Sequence, residues 1–456
     1  MLYRALRAAA DVALHWYYAG VAVQGAERIP ATGPLLIASN HPNALVDALL
    51  VSTTLRRRVL LTAKATLFDH ALLAPLLRTV GVVPLRRAKD ELAARRGGGV
   101  STERNTESFR QVTEALLRGG AVLVFPEGIS HDQPSLAPLK TGAARMALTA
   151  AMAGARGIHV LPVGLIFEQK ERPRSRVLVR IGEPIDVAAW HARTSSADAA
   201  ELTTEIDAAL RHVTLNFASE ARAHRAIALA GALAAFTEAP PALGQGRALT
   251  IEAELARRIE MATDALEAAP SDVARQADTF IQRVATLEAR LSARGVALTD
   301  VRISPRLRHG AWFVVRESVV LACVLPIALL GRVVHWLPLR AARTLALRPL
   351  VRDPSRDQPA MRTIVLGLGF VLLWYALQAA LVAHWFGATA AALWLVLLFV
   401  SARVDFLLRD RLGRAWRRAR TYVALRTDPG LREESLRDIR ALIADALALE
   451  AALIAS

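Results

Sequence analysis

Residues 35–47 read Leu-Leu-Ile-Ala-Ser-Asn-His-Pro-Asn-Ala-Leu-Val-Asp, and most of what can be predicted about the fold starts from this segment. The apolar run Leu35–Ala38 has the length and composition of a buried strand. A polar turn follows it directly, and a helix is predicted after the turn with Asn43 as its N-cap. A buried strand that passes through a polar turn into a helix is typical of α/β proteins.

Short apolar runs of the same kind recur up to about residue 190, with helical patterns between them. The helix predicted over Thr102–Leu117 ends at Gly119-Gly120. Residues 21–190 are therefore predicted to form an α/β domain, a mixed sheet flanked by helices. The predicted strands are Leu35–Ala38, Val59–Thr62, Val82–Leu85, Ala121–Phe125, His159–Phe167 and Val177–Ile181.

The charge of the chain indicates an anionic partner. Among its 456 residues, 57 Lys and Arg against 41 Asp and Glu give a net charge of +16, and 53% of residues are hydrophobic. Nucleic acid and anionic membrane lipids are the two candidates. Since no zinc-knuckle spacing or aromatic RNA-binding signature occurs, we expect membrane lipids and no nucleic acid. The single cysteine, Cys323, excludes an internal disulfide and is predicted to be a buried hydrophobe.

Two regions outside the α/β domain are predicted to be helical and polar or amphipathic. Residues 1–20 form an amphipathic helix that either associates with the membrane interface or packs on its own domain. Residues 195–305 contain periodic helices at Ile251–Leu266 and Val273–Leu291, which indicate an accessory region without chemistry of its own.

Residues 312–405 change character and are predicted to enter a membrane. Thr363–Ala383 is long enough to cross a bilayer core, and Ala388–Val400 continues the apolar pattern after a short break. The result is a hairpin whose arginine-rich flanks face the cytoplasm. Ser318–Leu330 is predicted to be re-entrant, interfacial or paired with Val333–Leu339 as a shallow hairpin. Three buried core helices are the soluble alternative, and residues 406–456 are predicted to form basic and amphipathic helices.

The spacing of His41 and Asp47 suggests acid–base chemistry. Six helical residues span about 600°, so both side chains cannot share one face of a helix. His41 should therefore lie in the turn, and Asp47 on the first helical turn can reach back to one imidazole nitrogen. The other nitrogen is then a base with a fixed tautomer, and a substrate hydroxyl takes the place of a catalytic serine. The alternative for a lone pair of this kind is an ordinary loop histidine.

Three further clusters follow, of which the first two could bind an anionic substrate. Gly81–Arg87 ends in two arginines, either of which could grip a phosphate. Phe125–Asp132 follows a strand; within it Glu127 can orient an arginine or bond a substrate hydroxyl, Gly128 permits close approach, and Ser130 can contact phosphate. Lys140, before a helix N-terminus, adds to anion binding. His131 and Asp132 are predicted to support the loop, and Leu161–Gly164 to be an edge strand or part of an acyl-binding wall.

Together, and in this order, the four clusters resemble the glycerolipid acyltransferase family over about residues 20–190. The family pattern has four residues between His and Asp, whereas five, Pro42–Val46, stand here. The longer spacing and the run Phe125–Asp132 are similar to the fungal-type glycerol-3-phosphate and dihydroxyacetone-phosphate acyltransferases.

The resemblance implies roles for the residues named above. His41 would be the general base and Asp47 its partner, Arg87 would hold the phosphate, and Glu127 and Gly128 would help to bind the glycerol phosphate. The acyl donor would be acyl-CoA or acyl-ACP, with no cofactor and no metal. We expect acylation of glycerol 3-phosphate or dihydroxyacetone phosphate at the inner membrane, with the catalytic domain on its cytoplasmic face. Acylation of a lysolipid and non-enzymatic lipid binding are the alternatives.

Overall fold

The computed structural model describes residues 2–64, 68, 74, 81–85, 102–237, 249–303, 306–347 and 359–455. The chain divides into two compact units. The first comprises Met1–Ala218, Ala248–Thr250 and Pro349–Ile364, and the second comprises Ser219–Arg247, Ile251–Arg348 and Val365–Ser456.

The first unit is built on a mixed seven-stranded sheet with the order β1-β8-β7-β2-β6-β3, in which β9 also pairs with β7. The pairs of β2 with β6 and β7, of β3 with β6 and of β1 with β8 are parallel, whereas β7 pairs with β8 and β9 in antiparallel fashion. A separate parallel pair joins β4 and β5. The strands are β1 (Gly20–Gln24), β2 (Leu35–Ser39), β3 (Val59–Leu60), β4 (Thr62–Lys64), β5 (Val83–Leu85), β6 (Ala121–Val124), β7 (His159–Phe167), β8 (Arg176–Ile181) and β9 (Ile185–Asp186).

Helices cover both faces of this sheet, which confirms the predicted mixed α/β architecture. Alternate residues of β2 point to opposite faces, so Leu36 packs in one core cluster and Leu35 in the other. The helices of this unit are α1 (Leu2–Tyr17), α2 (Leu45–Thr54), α3 (Thr102–Leu117), α4 (Gly142–Met152), α5 (Val187–Thr194) and α6 (Ala199–Val213).

The N-terminal helix α1 packs on its own domain through one face. Leu14, Tyr17 and Tyr18 are buried, and Arg7 donates to the carbonyls of Thr53 and Leu55 at the end of α2. These contacts satisfy carbonyls that a helix end leaves free. Association of the opposite face with a membrane stays a prediction.

The predicted strand Val59–Thr62 is two strands rather than one. Val59 and Leu60 pair with β6, whereas Thr62–Lys64 pair with β5. Between them the Leu61 carbonyl accepts from the N–H of Val83. A change of partner within four residues is a tertiary event that apolar composition does not reveal.

The predicted edge position of Leu161–Gly164 is also wrong, because β7 lies between β2 and β8 inside the sheet. Pro162 is tolerated there because β7 changes partner at this point: Val160 pairs with Ile185 and Val163 with Ile181. The Pro162 carbonyl still accepts from the N–H of Gly182 at 2.9 Å. A wall for the acyl chain stays a prediction.

The second unit is helical, and its core joins α7, α9 and the end of the chain. Phe236, Phe280, Leu287, Leu425 and Leu442 are among the buried side chains of this core. The helices that lie wholly or mostly in this unit are α7 (Glu220–Thr237), α8 (Thr250–Ala268), α9 (Ser271–Ala293), α10 (Leu307–Ala346), α11 (Pro359–Thr427) and α12 (Pro429–Ala455).

Within the described residues, two helices are long and apolar enough to cross a membrane, Gly310–Ala346 and Ala360–Thr427. Their most apolar stretches are only 6% and 17% buried. The alternative of three buried core helices is therefore wrong, and the outward apolar surface indicates membrane association.

The predicted hairpin is present within α11. Gly387 has φ +84° and ψ 169°, which breaks the helix. The indole N–H of Trp394 donates to Gln378 Oε1 at 3.3 Å, although a straight helix would separate residues 16 apart by about 24 Å. The chain therefore reverses at Gly387.

One of the alternatives for residues 318–339 and the prediction for Cys323 are wrong. α10 is one continuous helix of 40 residues with Pro326 and Pro338 inside it, so residues 318–339 do not form a shallow hairpin. Cys323 is exposed rather than buried, because it lies among the outward-facing apolar side chains of α10, which include Val319 and Leu325.

Candidate active site

The candidate site lies where two neighbouring parallel strands end. Ala38 of β2 pairs with Val124 of β6, so the turns that follow the two strands start side by side. Carboxyl ends of parallel strands meet at one edge of a sheet, where α/β proteins place ligand sites. His41 and Glu127 are thereby brought together, although 86 residues separate them in the chain.

His41 and Asp47 form the predicted pair. The Nδ1 atom of His41 lies 2.9 Å from Asp47 Oδ2, and the same oxygen accepts from the backbone N–H of Asn43 at 2.7 Å. The imidazole is 11% exposed and the carboxylate is fully buried. Because a carboxylate accepts at Nδ1, that nitrogen carries the proton and Nε2 keeps the lone pair.

Burial raises the pKa of Asp47 above its ordinary value, since a buried carboxylate loses its hydration. The hydrogen bonds from His41 and Asn43 and the charge of Lys170 oppose this shift. Asp47 Oδ1 has no hydrogen-bond partner among the described residues. The carboxylate therefore depends on His41 for much of its stabilisation.

The turn between these two residues differs from the prediction. Helix α2 begins at Leu45 with Ala44, not Asn43, as its N-cap. Asn43 is buried, and its side-chain amide donates to the hydroxyl of Tyr18 at 3.0 Å instead of capping the helix. The tertiary contact with Tyr18, at the end of α1, outweighs the local capping preference of asparagine.

Asn40 fixes the base of the turn. Its side-chain amide donates to the Leu165 carbonyl at 3.0 Å, and its Oδ1 accepts from the Leu165 N–H at 2.8 Å. The side chain thus pairs with β7 as a strand residue would, and it holds the end of β2 next to β7.

His41 is enclosed by the segment that follows β6. The Phe125 ring stacks on the imidazole with a centroid distance of 3.8 Å and an interplanar angle of 12°. Glu127 is buried, and its Oε1 accepts from the backbone N–H of His41 at 3.0 Å. Its Oε2 accepts from the Ala137 N–H at 2.8 Å and contacts Nε2 of His131. Contact of Glu127 with an acceptor stays a prediction, since all of these bonds are internal.

Gly128 and Lys140 lie against each other. Gly128 has φ +70°, and a Cβ at this position would lie 2.7 Å from Lys140 Nζ. The positive φ favours glycine, and a Cβ here would also force the Lys140 ammonium group to move. Lys140 is exposed and lies two residues before the first residue of α4. This arrangement is compatible with anion binding.

Residues 130–132 contact the turn rather than forming a second acid–base pair. Ser130 Oγ accepts from the Ala44 N–H at 3.2 Å, and the His131 N–H donates to the His41 carbonyl at 3.3 Å. Asp132 pairs with Lys170, whose ammonium group also donates to the Pro42 carbonyl at 2.7 Å. The prediction that His131 and Asp132 support the loop agrees with these contacts.

Several residues of this site were not found from the sequence. Tyr18 and Lys170 lie far from the motifs in the chain, and the stacking role of Phe125 has no local signal. The role of Asn40 was not predicted either, and its position next to His41 in the chain was the one sequence signal that could have indicated it. Arg87, the predicted phosphate ligand, lies outside the described residues.

Comparison with known proteins gives a family model, described as Acyltransferase, that matches residues 20–166. An 84-residue segment is 46% identical to glycerol-3-phosphate O-acyltransferase 2 of Saccharomyces cerevisiae, covering 18% of this chain and 11% of that protein. The chain is 25% identical to an uncharacterised acyltransferase of Schizosaccharomyces pombe over 39% of this chain and 38% of that protein. A chloroplastic 1-acyl-sn-glycerol-3-phosphate acyltransferase of Arabidopsis thaliana is 25% identical, over 42% of this chain and 52% of that protein.

Among solved structures, the 1-acyl-sn-glycerophosphate acyltransferase of Thermotoga maritima is similar with a TM-score of 0.35 and 21% identity, covering 46% of this chain and 78% of that one. The chain spans between about a tenth and a half of the length of the curated relatives named above.

Proposed function

We propose that this chain, whose residues 20–166 match the Acyltransferase family model, acylates a hydroxyl of glycerol 3-phosphate or dihydroxyacetone phosphate. The observation that carries the proposal is the 2.9 Å contact between His41 Nδ1 and Asp47 at the carboxyl end of β2. It leaves Nε2 as a base in a partly enclosed site.

In the proposed reaction, His41 Nε2 takes the proton of the acceptor hydroxyl as its oxygen attacks the thioester carbonyl of the donor. The tetrahedral intermediate collapses, the C–S bond breaks, and the imidazolium returns the proton to the leaving thiolate. Asp47 stabilises the imidazolium that forms in between. Positioned base catalysis of this kind contributes about 10²–10⁴-fold.

The phosphate of the acceptor is proposed to bind Lys140 and Arg87, with Gly128 leaving room for it. Lys140 is exposed and stands over Gly128, which supports its part in this proposal. The acyl donor is acyl-CoA or acyl-ACP, and the scheme needs no metal and no other cofactor. Glu127 and Ser130 are proposed to hold the backbone of the turn that carries His41, as their contacts with the His41 and Ala44 N–H groups suggest.

Acylation of glycerol phosphate is favoured over that of lysophosphatidic acid by two matches in Saccharomyces cerevisiae, the protein named above and glycerol-3-phosphate O-acyltransferase 1. They are glycerol-3-phosphate O-acyltransferases, 46% and 34% identical over short segments. The Arabidopsis relative acts on 1-acyl-sn-glycerol 3-phosphate by its name, so lysophosphatidic acid is the second candidate acceptor.

The proposed location is the inner membrane, with the catalytic domain on the cytoplasmic face. The arginine-rich flanks of the α11 hairpin support this orientation by the positive-inside rule. Anionic lipids would then attract the basic chain to the surface where its acyl product remains.

The test is an activity matrix with purified full-length protein in detergent or vesicles. Labelled acyl-CoA and acyl-ACP are each offered with glycerol 3-phosphate, dihydroxyacetone phosphate and lysophosphatidic acid. We expect product with a glycerol-phosphate acceptor and a loss of about 10²-fold or more in His41→Ala. Transfer to lysophosphatidic acid alone would replace the proposed acceptor, and equal rates in parent and His41→Ala would remove the proposed base.

A further inference from the structure

Ala44 has a backbone conformation that L-amino acids rarely adopt. Its φ is 48° and its ψ is −128°, which lies outside the left-handed helical region as well as the ordinary regions. Such conformations persist only where the surroundings impose them, and they cluster at functional sites. Ala44 lies midway between His41 and Asp47, within the five-residue spacer.

Two side chains from distant parts of the chain hold this turn, one at the strained residue itself and one two residues before it. Ser130 Oγ accepts from the Ala44 N–H at 3.2 Å. Lys170 Nζ donates to the Pro42 carbonyl at 2.7 Å, and the Lys170 side chain is only 18% exposed. Asp132 pairs with Lys170 and so fixes the ammonium group that makes this bond.

The geometry of the pair depends on this turn. Asp47 is the third residue of α2, which begins at Leu45 directly after Ala44. From this position its Oδ2 atom reaches both the Asn43 N–H and His41 Nδ1. If Ala44 relaxed to an ordinary conformation, the direction of α2 relative to β2 would change, and Asp47 would move with it. With five residues between the two, the Asp47 carboxylate therefore reaches His41 only while the chain is bent sharply at residue 44.

We propose that Ser130 and Lys170 are positioning residues that hold the strained turn Pro42–Ala44, so that a five-residue spacer brings Asp47 onto His41. The inference rests on the proposed function of His41 as a base. It gives Ser130 a role other than the phosphate contact expected from the sequence, and it assigns a role to Lys170 that no motif indicated.

The two roles of Ser130 make different kinetic predictions. A phosphate ligand acts mainly on the KM of the acceptor, whereas a residue that aligns the base with its carboxylate acts on kcat. Only the positioning role couples Ser130 to Ala44, because glycine at 44 adopts the same conformation without strain. The coupling between the two positions therefore separates the roles.

The experiment compares Ser130→Ala, Ala44→Gly and the double variant in the full-length protein. We expect Ser130→Ala to lower kcat by about 10- to 100-fold, the range that corresponds to one strained residue, with the acceptor KM changed by less than about threefold. In the Ala44→Gly background the same substitution should cost less than about threefold. Ser135→Ala is the matched control, since Ser135 Oγ donates to Asn216 instead of contacting the turn.

Lys170 is tested in the same way with Lys170→Met, which keeps the stem and removes the ammonium group. We expect a kcat loss of similar size that Ala44→Gly again reduces. Equal losses in both backgrounds, or a rise in KM with unchanged kcat, would overturn the inference. A thermal unfolding midpoint for each variant shows whether it has folded.

A second measurement needs no substrate and so separates this inference from the proposed function. The Nδ1–H proton of His41, identified by its loss in His41→Gln, reports the hydrogen bond to Asp47 in an NMR spectrum. We expect that signal to weaken in Ser130→Ala and to return in the double variant. If the parent acylates no acceptor but this pattern holds, the proposed function fails and the positioning role stands. An unchanged signal in Ser130→Ala would overturn the positioning role.

Discussion

Replacing Glu127 by glutamine tests whether this residue supports His41 or touches the substrate. The side chain keeps its size, but one carboxylate oxygen becomes an NH₂ group. In the structure, Oε1 accepts from the His41 N–H at 3.0 Å, and Oε2 accepts from the Ala137 N–H at 2.8 Å and contacts His131. Whichever way the amide turns, one backbone N–H then faces a donor, either the part-buried one of His41 or the buried one of Ala137.

The expected magnitude follows from that loss. A buried donor left without its acceptor costs about 1–3 kcal/mol, and each 1.36 kcal/mol changes a rate tenfold. The cost is felt at the catalytic turn, either directly at His41 or through Ala137 and the segment that encloses it. We therefore expect Glu127→Gln to lower kcat by about 5- to 150-fold and to change the acceptor KM by less than about threefold.

The assay is steady-state acyl transfer at saturating donor with varied glycerol 3-phosphate. Glu183→Gln is the matched control, because Glu183 is exposed and pairs with Arg28 away from the site. An unchanged kcat together with a tenfold higher acceptor KM would refute the reasoning. It would show that Glu127 binds the acceptor, as the sequence motif suggested.

Three further predictions follow from the first unit. Gly128→Ala places a Cβ 2.7 Å from Lys140 Nζ at φ +70°, so the KM of a phosphate acceptor should rise about tenfold in steady-state assays; an unchanged KM would remove Lys140 from the phosphate site. Burial raises the pKa of Asp47, so the stability it contributes is present below the unfolded pKa of about 3.9 and lost as pH rises through the folded pKa. The thermal midpoint of the parent should therefore fall relative to Asp47→Asn across that window, and a rise would contradict the shift. Leu123→Ala, at a fully buried position of β6, should lower the free energy of unfolding by about 2–5 kcal/mol in denaturant titrations, and a loss below about 1 kcal/mol would contradict the assigned core.

The pairing of His41 with Asp47 was predictable from the sequence because its elements are local. Asp47 follows an apolar strand and a polar turn, in a helix that begins within a few residues of His41. This short connection restricts the carboxylate to positions close to the imidazole. The chemistry of the pair then follows from the two residue types. The partner segment Phe125–Asp132 was found for the same reason, as it also follows a buried strand directly.

The capping of α2 shows where local reasoning fails. Asparagine is a strong N-cap, yet the Asn43 amide bonds Tyr18, a residue 25 positions earlier. A buried amide must find partners, and the residue that follows α1 supplied one. Local preference is a weak prior wherever a buried partner from elsewhere is available.

The sequence alone was sufficient for the α/β class, the candidate base and its carboxylate, and the apolar helices, because periodicity and residue chemistry act over a few positions. The strand order, the buried position of β7, the burial of Glu127 behind His41 and the contacts of Ser130 and Lys170 with the turn required the folded chain. The contacts of Glu127, Ser130 and Lys170 with the turn join residues that are 86 to 128 positions apart, and hydrogen bonds and burial at such separations depend on how the layers pack.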